Sequence, residues 1–505
     1  MKTDFDAIIV GGGGSGLAAA VSAAEHGLEV LVLEKLPVLG GTTGIAVGSL
    51  TANRTSLQDR AMIEDSLEQH VEDVRKFARP EIEARNNEPL RRYFLSESAA
   101  TYRWLVGMGL AFHGPSPEPP NRVPRMHNVV PNAKAYIAVL QNRFLRLGGT
   151  IYCNSPVKRI HISKDRAQGV EAQVTGETIR FRARRGIVLA AGDYASSQSL
   201  IAAHKGDAYA DIEGINPHAQ GDGHRLIESI GGELINMDVT WGPEIRFIPP
   251  AKQPFVQLLP TGGWAARLMG RLLPFVPPRI VHLLIKRLLV TWQHPDEAIF
   301  EDGAIIVNSK GERFCHEGRW PDREIALARQ PGKIAYILLD ERLIQRYSAW
   351  PHFVSTAPEI AYAYVQDYLR LRPDVSVGGR SLEEIARARH LPANNLIDAV
   401  TQFNRSVQNG REDPFGRAGR CETLKGNSWV LLGPAKAYFT ITEGGARINE
   451  SLQVLRPSGE PIKGVYAVGC NGLGGQILFG HGLHIAWAMT SGRLVGKVLA
   501  LEANS

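Results

Sequence analysis

Short apolar runs and glycine-rich breaks alternate at the beginning of the chain. Residues 7–10 are apolar and mostly β-branched, which is typical of a buried parallel strand. Residues 17–26 are rich in alanine and favour a helix. Residues 28–33 form a second apolar run, which ends at Glu34. This order of elements predicts a strand–helix–strand unit with parallel strands.

The break between the first strand and the helix has the spacing G-x-G-x-x-G. Gly11 allows a tight turn, Gly13 lets backbone approach a pyrophosphate, and Gly16 lets the helix pack against the strand. The free N–H groups and the dipole of the helix N-terminus favour an anion there. Glu34, about twenty residues further on, can accept hydrogen bonds from ribose hydroxyls. The unit therefore predicts a dinucleotide-binding site.

A second glycine- and hydroxyl-rich loop follows directly at residues 40–44, with the sequence GGTTG. Such a loop so early in the chain indicates a cofactor that extends further than the first turn. We therefore expect FAD rather than NAD.

Composition narrows the class of protein. The chain has 505 residues, of which 44% are hydrophobic and 21% charged, an ordinary globular composition long enough for two or three domains. The net charge of +6 is modest, and we find no nucleic-acid-binding motif. The four cysteines show no C-x-x-C spacing, which argues against a zinc site or a disulfide framework. With no signal-peptide pattern at the N-terminus and no apolar run long enough to span a bilayer, we expect a cytoplasmic protein.

Several motifs occur in a characteristic order along almost the whole chain: GGTTG, GIVLAAGDYASS, HAQGDGHRLIESIGGEL, GAIIVNSKGERFCHEG, FNRSVQNGREDPFGR and TEGGARINESLQVLRPSGEPIKGVYAVG. Together they resemble the flavoprotein superfamily of soluble fumarate reductases and 3-ketosteroid dehydrogenases. The resemblance implies an α/β fold with a Rossmann-like FAD-binding domain of the glutathione-reductase type, interrupted by an α+β cap domain. We expect the FAD-binding domain at residues 1–235 and 420–505, the cap at 236–345 and a helical linking segment at 346–419. The catalytic cleft then lies between cap and flavin.

The resemblance also implies the cofactor contacts, with FAD held non-covalently because no histidine follows the GGTT loop closely. The residues expected at the cofactor are Gly11, Gly13, Gly14, Ser15, Gly16, Glu34, Lys35, Gly40, Gly41, Thr42, Thr43, Gly44, Val157, Ala191, Gly192, Gly469, Gly482, Leu483 and Ile485.

Residues 466–493 form another glycine-rich region, near the C-terminus, and they lead into the last predicted helix. In the family this backbone lies along the flavin, where the helix dipole stabilises the reduced cofactor. Ketosteroid dehydrogenases hold the substrate ketone there with a glycine N–H and a tyrosine. Gly482 aligns with that glycine, but the tyrosine is missing, and His481 and His484 stand nearby. Each histidine either donates to a carbonyl oxygen or carries a proton, or is a packing residue.

The expected reaction is desaturation of a cyclic, steroid-like ketone, in which a hydride passes to flavin N5 and the adjacent proton to a base. The candidate bases are Tyr438, Tyr102, His481 and His484. Tyr438 precedes the TEGG turn and Tyr102 lies in a predicted helix, and both equally fit packing roles. The substrate is then a small lipophilic ketone or enone, and the external electron partner is unknown.

Two alternatives remain. The first is a reductase of a fumarate-like acid or an enone. The family's fumarate reductases use arginines for substrate binding and proton donation, whereas Pro321 and Phe479 align with two of those positions. The second is a flavoprotein without catalytic activity that serves as a binding or electron-transfer module.

One segment of the predicted cap combines basic and apolar residues without any acid. Residues 262–292 contain Arg267, Arg271, Arg279, Lys286 and Arg287 among leucine, isoleucine and valine. This pattern fits either a pair of cap helices packed on the FAD-binding domain or on a dimer partner, or peripheral contact with a membrane surface.

Overall fold

The computed structural model describes residues 1–501 apart from 252–257, 262–267, 271, 273–285, 288, 292, 358–360 and 418–420. Most of the basic segment at 262–292 therefore lies outside the described residues.

The predicted strand–helix–strand unit forms the centre of a large sheet. Strand Asp4–Val10 pairs in parallel with Val30–Leu33 on one side and with Glu177–Leu189 on the other. All four residues of Val30–Leu33 are buried, as the continuous apolar pattern requires. The strands of this sheet, in order of pairing, are Gln453–Leu455, Pro461–Ala467, Arg166–Val174, Glu177–Leu189, Asp4–Val10, Val30–Leu33 and Thr150–Tyr152, with Val157–Ser163 paired to Arg166–Val174. The α/β fold class is confirmed.

Helices cover the sheets. In the described part of the chain the α-helices are Gly14–Glu25, Gly41–Ile45, Ser56–Arg60, Leu67–Val74, Pro80–Glu83, Glu88–Gly107, Lys134–Arg146, Gln198–Lys205, Asp222–Ser229, Ala298–Glu301, Asp322–Ala328, Glu341–Arg346, Val365–Leu371, Leu382–Ala388, Ala393–Gln408 and Leu483–Leu501. Short 3-10 helices lie at Asp207–Tyr209, Pro331–Lys333 and Gly469–Gly472. No helix among these described residues is long and apolar enough to cross a membrane.

The first and last helices pack unusually closely. A Cβ atom on Gly492 would lie 2.5 Å from the carbonyl oxygen of Ser15, and one on Gly496 would lie 2.5 Å from the nitrogen of Ala23. The hydroxyl of Ser22 donates to the carbonyl of Arg493 at 2.7 Å. The two ends of the chain are thus fixed side by side at the edge of the predicted cofactor site.

A second, mainly antiparallel sheet is built around the long strand Trp429–Phe439. The other strands of this sheet are Glu213–Gly214, Glu244–Phe247, Ile305–Asn308, Ala335–Leu339 and Ser376–Gly379. The predicted boundary at residue 420 assigns Trp429–Phe439 to the FAD-binding domain, whereas this strand forms the middle of the second sheet. The domain boundaries themselves remain a prediction.

Small sheets join the two parts of the molecule. Strands Leu234–Ile235 and Thr240–Trp241 pair with Gly445–Ala446 and Ile441–Thr442, respectively. The remaining small sheets contain Ser49–Thr51, Met126–Val130 and Ala111–Ser116, and Ser355–Ala357 with Ala361–Ala363. These pairings bring the beginning of the second sheet beside the TEGG turn at residues 442–445.

Candidate active site

The first glycine turn has the geometry that a pyrophosphate site needs. Gly11 has a φ of +110°, and a Cβ atom on Gly16 would lie 1.9 Å from the carbonyl oxygen of Gly11, so the helix starts tightly against the strand. A Cβ atom on Gly13 would meet its nearest atom, the carbonyl oxygen of Gly40, at 3.8 Å, so this position is less crowded than Gly16. Gly14 and Ser15 begin the helix, with their N–H groups at its positive end.

The end of the second strand supplies the acidic residue. The carboxylate of Glu34 is buried and accepts from the backbone nitrogens of Gly12, at 2.7 Å, and Leu36, at 2.9 Å. A carboxylate has about four acceptor positions, so it can still receive ribose hydroxyls. Lys35 turns the other way, because its Nζ atom donates to Asp222 and to the carbonyl of His218, both at 2.6 Å.

The second glycine loop lies against the first. The nitrogen of Gly40 donates to the carbonyl of Gly12 at 3.0 Å, and residues Gly41–Ile45 form a short helix. The hydroxyl of Thr42 accepts from Asn216 at 2.9 Å, and the hydroxyl of Thr43 would lie 2.6 Å from a Cβ atom on Gly14. A Cβ atom on Gly44 would make only an ordinary contact, with Ile137 at 3.8 Å.

The loop after strand Glu177–Leu189 is held by a fully buried asparagine. The side chain of Asn471 accepts from the nitrogen of Ala191 at 2.6 Å and donates to the carbonyl of Gly192 at 2.9 Å. Gly192 has a φ of +83°, and a Cβ atom there would meet nothing within 4 Å. Val157 begins the strand that follows Ser155, whose nitrogen donates to the carbonyl of Glu34. Gly192 therefore leaves free space beside the loops that are predicted to bind FAD.

Hydrogen bonds from the last helix hold the C-terminal glycine-rich region in place. The indole N–H of buried Trp487 lies 3.1 Å from the carbonyl of Gly469 and 3.2 Å from that of Gly472. Gly482 has a φ of +80°, and its carbonyl accepts from the nitrogen of Thr51 at 3.3 Å. Leu483 begins the helix and is buried, whereas Ile485 is partly buried. Glycine is needed at 482 for its left-handed backbone and for the close approach of Thr51.

Each of the two candidate histidines is paired with a glutamate. His481 Nδ1 lies 2.6 Å from Glu118 Oε1, and the His481 side chain is 54% exposed. His484 Nε2 lies 2.8 Å from Glu443 Oε1, and this pair is almost completely buried. A carboxylate that accepts from one ring nitrogen leaves the other nitrogen with a lone pair, so both histidines can act as bases.

Two further residues lie near His481, namely Trp241 of the small sheet formed with Ile441–Thr442 and Glu244 of the second sheet. The Trp241 ring lies 5.3 Å from the His481 ring, edge to face, and its indole nitrogen donates to Glu244 at 3.0 Å. Arg246 forms an ion pair with the same glutamate at 2.8 Å. Burial pushes the pKa of Glu244 upward, but the nearby positive charges outweigh burial and hold the pKa below its ordinary value. Glu244 is therefore ionised at neutral pH.

The two candidate tyrosines lie in different places. Tyr438 stands directly opposite Glu244 in the sheet register, so both side chains are on one face, and burial raises the Tyr438 pKa to about 12. Tyr102 is buried, and its ring contacts Phe112 and His127 at about 5 Å in the core of the FAD-binding part. The structure thus brings His481, Gly482 and His484 together, places Tyr438 on the face of Glu244, and surrounds Tyr102 with core residues.

Sequence reasoning did not find Glu118, Glu244, Glu443 or Asp193 as site residues. Glu118 and Glu244 lie in stretches without any motif, and they reach the site only through tertiary contacts. Glu443 and Asp193 occur inside the quoted TEGG and AAGD motifs. The presence of an acidic residue within a glycine turn could therefore have indicated both as site residues.

The family follows from comparison with known proteins. The FAD binding domain family model matches residues 6–475, so the chain belongs to this family of FAD-dependent flavoproteins. The protein is an FAD-dependent oxidoreductase.

Relatives with named activities cover most of this chain. NADH:fumarate oxidoreductase of Klebsiella pneumoniae is 24% identical over 92% of it, but the chain spans only 44% of that relative. Probable fumarate reductase Ifc3 of Shewanella frigidimarina is 25% identical, covering 98% of this chain and 75% of the relative. Vinyl phenol reductase of Lactiplantibacillus plantarum is 24% identical, with coverage of 98% and 96%.

Solved structures show the same fold. The open conformation of a flavocytochrome c3 fumarate reductase matches with a TM-score of 0.73 and 22% identity, over 100% of this chain and 79% of that one. A 3-ketosteroid delta1-dehydrogenase from Sterolibacterium denitrificans matches with a TM-score of 0.65 and 18% identity, over 99% and 100%. The predicted resemblance to this superfamily is confirmed.

Proposed function

We propose that this oxidoreductase acts on a CH–CH bond next to a carbonyl group and that it desaturates an uncharged cyclic ketone. The observation that carries the proposal is the Glu118–His481 pair, which stands beside the left-handed Gly482 and against Trp241 of the small sheet formed with Ile441–Thr442. Bound FAD, held non-covalently, supplies the acceptor for the hydride.

His481 is the proposed base. Glu118 is 6% exposed, and its Oε1 atom also accepts from the backbone nitrogen of His481 at 2.7 Å, which fixes the ring against the loop. With Nδ1 directed at the carboxylate, Nε2 carries the lone pair that takes the proton from the carbon next to the carbonyl. The backbone N–H of Gly482 polarises the carbonyl oxygen, as donors in an oxyanion hole do.

The charges support an uncharged substrate. Arg246, His481 and His484 each have a glutamate of their own, at 2.8, 2.6 and 2.8 Å respectively. A ligand carboxylate would have to displace Glu244 from Arg246 and would face two further glutamates. Repulsion between like charges in a partly desolvated cleft disfavours such a ligand.

A second candidate is the reverse reaction, reduction of an alkene that is activated by a neighbouring group. The named activities of the relatives support it, since fumarate, acrylate and vinyl phenol are alkenes. Vinyl phenol carries no carboxylate, in agreement with the paired charges of the cleft. The same residues serve in this direction, with His481 returning the proton.

The test is anaerobic mixing of the purified yellow protein with a panel of cyclic ketones, including 3-ketosteroids. We expect the flavin absorbance to bleach with at least one ketone. In D₂O, the oxidised protein should also exchange the proton next to the carbonyl, and H481Q should lower the exchange rate by about 10²-fold or more. The matched control is H161Q, which removes a histidine paired with Glu171 at 2.7 Å on a distant strand and should leave exchange unchanged.

Other outcomes decide between the candidates. Reoxidation of the reduced protein by an enone, without bleaching by any ketone, would favour alkene reduction. Reoxidation by fumarate would contradict the uncharged substrate. A flavin that responds to none of these compounds would favour a role in binding or electron transfer.

A further inference from the structure

A second group of ionisable side chains is buried and includes His484, which lies shortly after His481 in the chain. It consists of Asp193, Thr442, Glu443 and His484, which we call the buried acid cluster. Asp193, Thr442 and Glu443 are each no more than 2% exposed, and the His484 side chain is 12% exposed. The nitrogen of Thr442 donates to Asp193 Oδ2 at 3.3 Å, and the backbone of Leu478 donates to Glu443 Oε2 at 3.1 Å.

Three polar atoms of this cluster are buried without a hydrogen-bond partner. They are Asp193 Oδ1, Thr442 Oγ1 and His484 Nδ1. Buried polar atoms are nearly always satisfied, and leaving one unpaired costs about 1–3 kcal/mol. Three such atoms in connected residues indicate a site where another molecule or a proton is received.

The cluster lies between two of the predicted cofactor loops. Asp193 directly follows Ala191 and Gly192, and an added Cβ atom on Gly192 would meet nothing within 4 Å. His484 stands between Leu483 and Ile485 in the first turn of the last helix. The cluster is therefore adjacent to two segments that are predicted to contact the cofactor.

The other ionisable groups around the cluster keep one protonation state near neutral pH. Burial lowers the pKa of His224 to about 4, so this histidine is neutral. Burial raises the pKa of the Tyr194 hydroxyl and of the Cys470 thiol, so both are protonated. By contrast, burial raises the pKa of Asp193 to about 6, within reach of physiological pH.

We propose that the buried acid cluster takes up one proton when the bound FAD is reduced, and that His484, oriented by Glu443, and Asp193 share this proton. The proposal rests on the flavin alone and requires no particular substrate. Reduction by two electrons and one proton, which together form the new N5–H bond, leaves one negative charge on the flavin. A second proton, drawn from solvent, enters the cluster and balances that charge at short range.

The test is the midpoint potential of the FAD-loaded protein, titrated anaerobically with dithionite and redox dyes between pH 6.5 and 8.5. Each proton taken up per two electrons lowers the potential by about 30 mV per pH unit. The wild-type protein should show about 60 mV per pH unit, since two protons enter. H484Q and D193N should each show about 30 mV per pH unit, and the control H161Q should retain the wild-type slope.

Two results would overturn the proposal. A wild-type slope of about 30 mV per pH unit would show that no second proton enters. A slope near 60 mV in both H484Q and D193N would place the second proton on the flavin itself. If either variant fails to retain FAD, E443Q takes its place, because it keeps the shape of Glu443 while removing its charge. Neither potential nor slope depends on the ketone, so this result is separate from the test of the proposed function.

Discussion

At the scale of single residues, the glycine positions have the strictest geometry in the molecule. Gly16 allows the helix to pack against the strand more closely than any other residue would, since a Cβ atom at this position would lie 1.9 Å from the carbonyl oxygen of Gly11. The sequence spacing predicted this role, and the structure shows the contact behind it. The flavin site therefore depends on an absent side chain as much as on the side chains present.

Replacement of Gly16 by alanine should separate the helix from the strand and abolish stable FAD binding. We expect a loss of about 1–3 kcal/mol in the free energy of unfolding, because the clash is with backbone and cannot be relieved by a rotamer change. Flavin content after purification and urea unfolding measure the two effects. G107A is the control, since an added Cβ there meets nothing within 4 Å and should leave both quantities nearly unchanged. Retention of FAD by G16A at wild-type affinity would contradict this account.

At the scale of elements, the pair of helices Gly14–Glu25 and Leu483–Leu501 positions both ends of the cofactor site. The first helix follows the glycine turn that is predicted to bind the pyrophosphate, and the last begins directly after Gly482. Their close contact depends on Gly492 and Gly496, which face the backbone of the first helix. A change in the spacing of these helices should therefore change the affinity for FAD.

G492A and G496A should each destabilise the protein by about 1–3 kcal/mol through overpacking. G492A should also weaken FAD binding, because its new methyl group would push against Ser15 at the start of the first helix, whereas G496A acts near Ala23, further from the site. Urea unfolding and flavin titration distinguish these effects. K497A, at an exposed position of the same helix, should change stability by less than about 0.5 kcal/mol. Equal loss of FAD affinity in G492A and G496A would contradict a local effect at Ser15.

At the scale of the whole molecule, the cleft is assembled from segments that are far apart in the chain. Glu118 precedes strand Met126–Val130, Glu244 begins a strand of the second sheet, and His481 lies before the last helix. His481 meets Glu118, and His484 meets Glu443, only in the folded protein. The charge of the cleft is therefore a property of the tertiary structure.

A neutral cyclic enone should bind the oxidised protein at least about 10-fold more tightly than the same ring bearing a carboxylate, a difference of about 1.4 kcal/mol. The reason is that Glu244 is ionised and already paired with Arg246, so it would repel a ligand carboxylate. Perturbation of the flavin spectrum measures both affinities. E244Q should reduce the ratio of the two affinities, because it releases Arg246 to pair with the ligand carboxylate. E171Q, which removes the distant partner of His161, should leave the ratio unchanged. Tighter binding of the carboxylate by the wild-type protein would favour an acid as substrate.

The sequence by itself determined the parts of the protein that depend on local spacing. The first strand, the glycine turn, the helix and the second strand ending at Glu34 follow from periodicity and from the backbone freedom of glycine, and the observed bounds differ from the predicted ones by only a few residues. The order of motifs likewise predicted the superfamily and its cofactor. His481, Gly482 and His484 are candidates because they lie in the glycine-rich region at residues 466–493, and their roles remain a prediction.

Only the tertiary structure decided which charges meet. Glu118 reaches His481 across 363 positions of sequence, and the joining of Asp193 to the turn at Thr442 spans 249. No local pattern encodes such pairs, because a single glutamate in a loop has the same propensity whether it faces solvent or a histidine. The membership of strand Trp429–Phe439 in the second sheet was equally invisible, since strand pairing is set by contacts between distant segments. The sequence predicted the cofactor and the glycine loops that bind it. Folding determined which ionisable side chains pair around those loops.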